Sequence, residues 1–511
     1  MTLDCTRTDL TLGIVGTGLM GQGIAQIAAQ AGVKVLLYDT RENGAEQART
    51  AIQKVLNRLV EKGKISDLAA TESLNKLHVL GCMEELSPCH LVVEAIFENL
   101  EVKHQLMLTL EDIVSDNCLL ATNTSSLSVT SIAAGCRLPG RIGGFHFFSP
   151  VPLMKIVEVI KGIMTEDWVS LALTKLAMRI GHTPVQAKDT PGFIVNHAGR
   201  GFGTEALRIL DEGITEFSKI DKILCEAAGF RMGPFQLLDL VGLDVSHPVI
   251  ESIYNQYYQE PRFRPSTVTR QRLAAGLLGR KSGKGFYCYE ENTPEAVKNF
   301  VPTARPAKVW ISNSIQEMNR IVTELVVSLG AVLDTDDIPS KESLCIVTPL
   351  GKDATTATLE ENLDASRTLA LDTLFSLKKH RTLMTTPLTS QAMRDAAHGL
   401  FASDGTAVTV INDSAGFVAQ RVVALIVNIS CDIAQQQIAS PGDIDLAVTL
   451  GLGYPQGPLS WGDTLGPLRI LTILNEMSTF YGDPRYRPSP WLKRRANLGV
   501  SLLTVENQEK E

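Results

Sequence analysis

The sequence predicts an α/β protein: a doubly wound parallel sheet at the N-terminus, followed by all-α domains in which one helical domain is present twice. Three observations carry this expectation. Leu12 to Asp39, LGIVGTGLMGQGIAQIAAQAGVKVLLYD, spells strand, glycine turn, helix and second strand without interruption. Short apolar runs then alternate with helical patterns, which implies parallel strands joined by crossovers. Further on, landmarks recur at a spacing of 224 residues: Asp189, Gly192 and Phe193 return as Asp413, Gly416 and Phe417, Asp221 as Asp445, Gly229 as Gly453, Asp239 as Asp463 and Gly242 as Gly466.

At 511 residues the chain exceeds one ordinary core. The expected division is 1–187 for the sheet domain, 188–292 for the first helical domain, 293–410 for a middle segment, and 411–511 for the second helical copy. A net charge of -8 argues against a nucleic-acid partner, whose footprint is basic. No basic leader with a small-residue cleavage site opens the chain, and no uninterrupted apolar span reads as long enough for a bilayer. The 9 cysteines are odd in number and never in CxxC spacing, which fits reduced thiols in a cytoplasm and neither a disulfide frame nor a metal site.

In the first motif Gly16 permits the tight turn, Gly18 lets a pyrophosphate approach the backbone, and Gly21 allows helix and strand to pack closely. Phosphates would meet free N–H groups at the positive end of the helix. Asp39 closes the second strand where a carboxylate reaches ribose hydroxyls and repels a 2′-phosphate. This is a Rossmann-type dinucleotide site, expected to take NAD.

Next, Lys54, Arg58 and Lys62 recur every four residues on a long helical pattern, either as a solvated face or as a contact for substrate phosphates. Leu77 to Gly81, Leu91 to Ala95 and Cys118 to Ala121 read as strands. The polar turn after the last of these offers Asn123, Thr124, Ser125 and Ser126 at the sheet edge where ligands of doubly wound folds sit; a helix cap uses the same residue types. Glu158 lies inside the apolar run IVEV, and burying its charge is costly unless it is paired. His146, among Phe145, Phe147 and Phe148, is the expected partner. A carboxylate fixes the tautomer and orientation of a histidine, as a general base requires.

From Asp189 the strand pattern gives way to helices joined by glycine turns, ending at GRKSGKGFYCY. Asn196 becomes Gln420 in the second copy, and GRKSGKGFY has no counterpart there, so chemistry is expected in the first copy and a structural role in the second. In the middle segment SLCIVTPLGKD, TLMTTP and AVTVIN resemble strands, consistent with a reduced α/β unit that lacks the glycine turn.

With GTGLMG, Asp39, ENL at Glu98, NTSSL at Asn123, HFFSPVP at His146 and DTPGFIVN at Asp189 in order, the chain resembles the NAD-dependent L-3-hydroxyacyl-CoA dehydrogenases. The duplicated tail is most similar to long bacterial members of the phenylacetate-degradation type, whose substrate is 3-hydroxyadipyl-CoA. The resemblance implies oxidation of an L-3-hydroxyacyl-CoA to the 3-oxoacyl-CoA; 3-hydroxybutyryl-CoA or general fatty-acid substrates are alternatives, and a non-catalytic CoA- and NAD-binding protein is a remote one. It implies His146 as base, Glu158 as its partner, and Ser125 and Asn196 as catalytic and substrate-binding residues. It places cofactor contacts at Gly16, Gly18, Leu19, Met20, Gly21, Asp39, Glu98, Lys103, Ser125 and Lys281, with Lys62 meeting CoA. The acyl chain is expected in a cleft between the sheet domain and the first helical domain. A homodimer, or pairing of the two helical copies within one chain, is also implied. Two departures stand beside the expected acyl pocket: Ser149 where the family has asparagine, and His197 where it has arginine.

Overall fold

A computed structural model describes residues 3–289 and 302–506. It divides into two compact units, Met1–His197 with Gln436–Leu452, and Ala198–Gln435 with Gly453–Glu511. The boundary expected at 292 lies outside the described residues.

The first unit is built on eight strands: β1 (Thr11–Val15), β2 (Lys34–Tyr38), β3 (Leu77–Val79), β4 (Leu91–Glu94), β5 (Leu119–Thr122), β6 (Ile142–Phe147), β7 (Ile156–Lys161) and β8 (Thr183–Lys188). Their order is β3-β2-β1-β4-β5-β6-β7-β8. The direction of winding reverses between β1 and β4, which opens a crevice at the carboxyl ends of those strands. Helices α1 (Leu19–Gln30), α2 (Gly44–Glu61), α3 (Asp67–Asn75), α4 (Leu100–Ile113), α5 (Val129–Ala133) and α6 (Asp167–Arg179) complete the crossovers. Two apolar clusters pack the sheet, one around Ile14, Val35, Leu91 and Phe145, the other around Val15, Leu36, Val92 and Leu120. Neighbours along β1 differ in cluster because successive side chains point to opposite faces.

One pair departs from the parallel pattern: β6 and β7 are antiparallel, setting His146 opposite Glu158. The connection between Phe147 and Ile156 is too short for a helical crossover, so the chain must turn back. The first unit also takes in the later helix Pro441–Leu452, because Lys188 N donates to Ile438 O. The sequence reading had assigned that helix to the second helical copy.

α7 (Val195–Ala198) closes the N-terminal part of the first unit, and the second unit opens with α8 (Arg200–Asp211), α9 (Phe217–Glu226), α10 (Pro234–Val241), α11 (Leu243–Gln256) and α12 (Thr267–Ala274). The middle segment is a second sheet of β9 (Lys308–Ile311), β10 (Ser343–Val347), β11 (Thr368–Leu371), β12 (His380–Thr385) and β13 (Ala407–Ile411), in the order β13-β12-β11-β10-β9. Helices α13 (Gln316–Ser328), α14 (Ala354–Glu360) and α15 (Gln391–Phe401) accompany it, over a core of its own that includes Val322, Leu344, Leu369 and Phe401. Successive pairs from β9 to β13 run parallel, parallel, antiparallel, parallel, the pattern of β4 to β8. The repeat thus reaches back into the sheet and omits the glycine-turn half. The sequence reading had recognised β10, β12 and β13 and overlooked β9 and β11.

The second copy continues through α16 (Val418–Gln435) and the helices Pro458–Leu465, Pro467–Tyr481 and Pro490–Leu498. By length and mean composition α16 is apolar enough to span a bilayer, although Gln420, Arg421, Asn428 and Asp432 interrupt its apolar run. Inside its unit 89% of that helix is buried, and it carries Arg421 and Asp432.

Candidate active site

The glycine turn is shaped by close approach. Gly16 has φ +90°, and a Cβ there would stand 2.7 Å from Ala95 O. At Gly21 a Cβ would fall 1.9 Å from Gly16 O. Around Gly18, the N-cap of α1, a Cβ would meet nothing within 4 Å. Gly16 and Gly21 therefore close the turn, and Gly18 leaves open space in front of a 12-residue helix, as a pyrophosphate requires. Leu19 is exposed and Met20 half-buried at its first turn.

Asp39 ends β2 facing that space. Its carboxylate accepts from Thr17 N at 2.8 Å, Thr17 Oγ1 at 2.7 Å and Arg41 N at 2.9 Å, and pairs with the Arg41 guanidinium at 3.0 Å. Burial opposes ionisation, yet Arg41 and Thr17 hold the carboxyl well below its ordinary range. A fixed anion beside open backbone fits the ribose of a dinucleotide.

At the ends of β4 and β5, Glu98 organises the polar loop. Its Oε1 accepts from Thr124 Oγ1 at 2.6 Å, Ser125 N at 2.9 Å and Ser126 N at 3.1 Å, with Ser125 Oγ at 3.4 Å. Burial raises the Glu98 carboxyl, but the Lys103 ammonium and the loop donors outweigh it and bring it below its usual value. Lys103 is 1% exposed and bridges Glu94 at 2.5 Å and Glu98 at 3.3 Å. It lies as a buried charge beneath the loop that carries Ser125. Asn123 Oδ1 accepts from Phe147 N at 2.8 Å, tying the loop to the strand that bears His146.

His146 Nδ1 lies 2.7 Å from Glu158 Oε2, and the two residues are 4% and 0% exposed. Glu158 Oε1 accepts from Ile194 N and Val195 N, each at 2.9 Å, at the start of α7. A carboxylate is acceptor only, so Nδ1 donates to it and Nε2 of the neutral ring is left as the proton acceptor. Phe148 and Phe193 flank the imidazole at centroid distances of 4.5 and 5.8 Å. On α7, Asn196 Nδ2 donates to Ser125 O at 3.3 Å, so Asn196, Ser125 and the Glu158 anchor share one cluster.

Lys54, Arg58 and Lys62 are exposed on α2 and just past its end. Lys281 belongs to the second unit, where it pairs with Asp244 at 2.7 Å. Ser149 is exposed, and His197 is 1% exposed with its N–H donated to Gly192 O. The sequence reading missed Thr17, Arg41 and Glu94. It used Asp189 only as a landmark, whereas its carboxylate accepts from Ser128 Oγ at 2.7 Å, Val129 N at 3.0 Å and Thr130 N at 2.7 Å, pinning α5 to the segment that leads into α7. A threonine inside the glycine turn and the arginine two places after Asp39 were the signals available.

Comparison with known proteins agrees with this geometry. The family model described as 3-hydroxyacyl-CoA dehydrogenase, NAD binding domain, matches residues 11–190. The model for the C-terminal domain of the same family matches 192–289 and 416–502. The chain is 36% identical to the 3-hydroxyadipyl-CoA dehydrogenase of Escherichia coli (strain K12), over 96% of this chain and 98% of that one. It is 38% identical to the mitochondrial hydroxyacyl-coenzyme A dehydrogenase of Homo sapiens, covering 54% of this chain and 90% of the human protein. A crystal structure of 3-hydroxybutyryl-CoA dehydrogenase from Escherichia coli K12 superposes with a TM-score of 0.85 at 34% identity, covering 96% and 98% of the two chains. With the cofactor turn, the buried pair and near full-length similarity in agreement, the chain belongs to the 3-hydroxyacyl-CoA dehydrogenase family and is an NAD-dependent oxidoreductase.

Proposed function

We propose that the substrate is 3-hydroxyadipyl-CoA, oxidised at its 3-hydroxyl to the 3-oxoacyl-CoA, with His146 as general base. The observation that carries the catalytic reading is the 2.7 Å contact between His146 Nδ1 and the buried Glu158 carboxylate. The acyl group is supported by near full-length similarity to a bacterial protein named for that substrate.

NAD, held by Gly16, Gly18, Gly21 and Asp39, supplies the hydride acceptor when bound. His146 Nε2 takes the hydroxyl proton, and Glu158 stabilises the imidazolium that results. Ile194 and Val195 donate to the carboxylate throughout, so Glu158 need not reorient as charge develops. Ser125 and Asn196 hold the hydroxyacyl group; their mutual contact fixes the loop that Glu98 and Asn123 support from the other side. General-base help of this kind is worth about 10² to 10⁴ in rate, and alignment of the reacting carbon supplies much of the rest. CoA contact at Lys62 belongs to the same proposal, resting on its exposure beside a basic helix face. So does a cytoplasmic setting, which the 9 scattered free thiols support.

A second reading, 3-hydroxybutyryl-CoA as substrate, is favoured by the name of the crystallographic relative. Following NADH absorbance with 3-oxoadipyl-CoA and with acetoacetyl-CoA separates them. A higher kcat/KM for the adipyl thioester is expected, and preference for the four-carbon substrate overturns the assignment. His146→Gln should abolish turnover while leaving NAD affinity within a few-fold; near-normal turnover removes His146 from the mechanism.

A further inference from the structure

The second sheet is aligned to the first by its pairing. Leu91 pairs with Leu119, and Lys308 with Ser343; Glu158 pairs with Val185, and Thr382 with Thr409. By this register Thr382 stands where Glu158 does. Asp372, whose N–H donates to Thr382 O at 3.0 Å, lies across from Thr382 on the neighbouring strand end, as His146 lies across from Glu158. Gln420 takes the place of Asn196: its Nε2 donates to Pro349 O at 3.2 Å, as Asn196 does to Ser125 O, and also to Asp372 Oδ1 at 2.9 Å. The base and its carboxylate are gone, so this edge does no dehydrogenation, yet its loops keep the shape of a ligand edge.

One exchange there leaves an unfilled requirement. In the first copy Thr124 donates to Glu98. In the second, Thr348 occupies the threonine position and Ile315 the glutamate position. Thr348 is 1% exposed, and its hydroxyl has no hydrogen-bond partner. Thr348 lies in the wall of a cavity of about 410 Å³ that also includes Ile315, Lys352, Glu360, Glu361 and Glu476. Lys352 Nζ is matched by both oxygens of Glu360 at 2.8 Å, and Glu361 Oε1 accepts from Ser312 Oγ at 2.7 Å. Three carboxylates face one ammonium, so phosphates and acyl carboxylates are repelled, and positive charge or hydroxyl donors are favoured. The volume suits a ligand of one ring and one sugar.

We propose that this cavity binds a phosphate-free nucleoside carrying positive charge, its hydroxyls meeting Thr348 and the carboxylates and its ring lying against Ile315. The nucleoside class rests on reading the equivalent loops of the first copy as facing the nicotinamide half of NAD; the charge preference stands on the cavity wall alone.

The probe is nicotinamide riboside, titrated by calorimetry into the full-length protein saturated with NAD, so that the first site is filled. One equivalent should bind, and the 5′-phosphorylated form should bind at least tenfold more weakly. Thr348→Val should weaken binding about fivefold, the loss of one hydrogen bond of about 1 kcal/mol. Ile315→Glu, which restores a partner for Thr348 and fills the cavity, should abolish it. Absence of binding at millimolar probe, equal affinity for the phosphorylated form, tighter binding of uncharged adenosine, or affinity unchanged in both variants would each overturn the proposal. Dehydrogenase turnover of the same variants should equal that of the parent, so failure of the His146 mechanism registers separately.

Discussion

Replacing Glu158 by glutamine tests the catalytic pair at its least exposed member. The new amide oxygen can keep both backbone donors, Ile194 N and Val195 N, now at 2.9 Å, so the strand and the start of α7 hold their positions. Its amide NH₂ then faces His146 Nδ1, formerly 2.7 Å from a carboxylate oxygen. The ring must accept there, which moves its proton to Nε2, the atom assigned to receive the substrate proton. The imidazolium also loses its counter-charge in a site where both residues are almost fully buried. A wrong tautomer together with an unsupported cation should lower kcat by about 10³ to 10⁴, or about 4 to 5.5 kcal/mol of activation free energy. Initial rates from NADH absorbance, with NAD affinity measured by quenching of protein fluorescence and folding by thermal unfolding, separate chemistry from binding and stability. The pH profile of kcat should lose the ionisation attributed to the base. A folded variant with kcat within a few-fold of the parent, or with an unaltered profile, would refute the tautomer argument and leave Glu158 a structural carboxylate.

Three further outcomes follow from geometry at other positions. Gly21→Ala should destabilise the first unit, since its Cβ would lie 1.9 Å from Gly16 O, whereas Gly18→Ala, with nothing within 4 Å, should fold normally and lose NAD affinity; equal thermal stability of the two variants would contradict the assigned roles. Asp39→Asn should raise KM for NAD about tenfold to a hundredfold, the loss of a charged hydrogen bond of about 1.5 to 3 kcal/mol, and improve relative use of NADP as Arg41 is released; steady-state kinetics with both cofactors would show it. Burial pushes Asp372 up to about 6 even though Gln420 donates to it. With its folded pKa above the unfolded one, stability is lost as pH rises from about 4 through about 6, so Asp372→Asn should stabilise by about 2 to 3 kcal/mol at pH 7 and not at all near pH 4; denaturant titrations at the two pH values check the sign.

The features visible in the sequence were those whose cause is local. The glycine turn, the strands beside it and the acid at Asp39 follow from backbone and periodicity over a few dozen residues. The His146 and Glu158 pair was inferable because an ionised side chain in IVEV needs a partner, and the antiparallel return of β7 supplies it. The function of Glu98 as acceptor for Thr124, Ser125 and Ser126 was hidden, because it depends on β4 and β5 lying side by side. The buried state of Lys103 was hidden for the same reason: only the fold brings it between Glu94 and Glu98. The strands β9 (KVWI) and β11 (TLAL) escaped notice although β4 and β5, of the same length, were legible, because no glycine turn or motif beside them marks them off. Their pairing order, which no local pattern encodes, is what reveals that the repeat extends into the sheet.

The two helical copies share one buried core of ion pairs. Arg421 of α16 is fully buried and bonds to Glu205 on α8 at 2.8 Å and to Glu212 at 2.7 Å. A further repeated segment, PRFRPS at 261–266 and PRYRPS at 484–489, crosses over: Arg262 of the first copy pairs with Asp432 on the second copy's long helix, and Arg485 of the second lies 3.5 Å from Glu205 on the first copy's. Each copy presents to the other the same kind of arginine and the same helix, the self-complementary arrangement of a two-fold dimer realised within one chain. Losing one partner of a buried ion pair costs about 3 to 5 kcal/mol, and a domain has about 5 to 15 kcal/mol in total. Two such pairs therefore suffice to make the second helical copy indispensable to the fold.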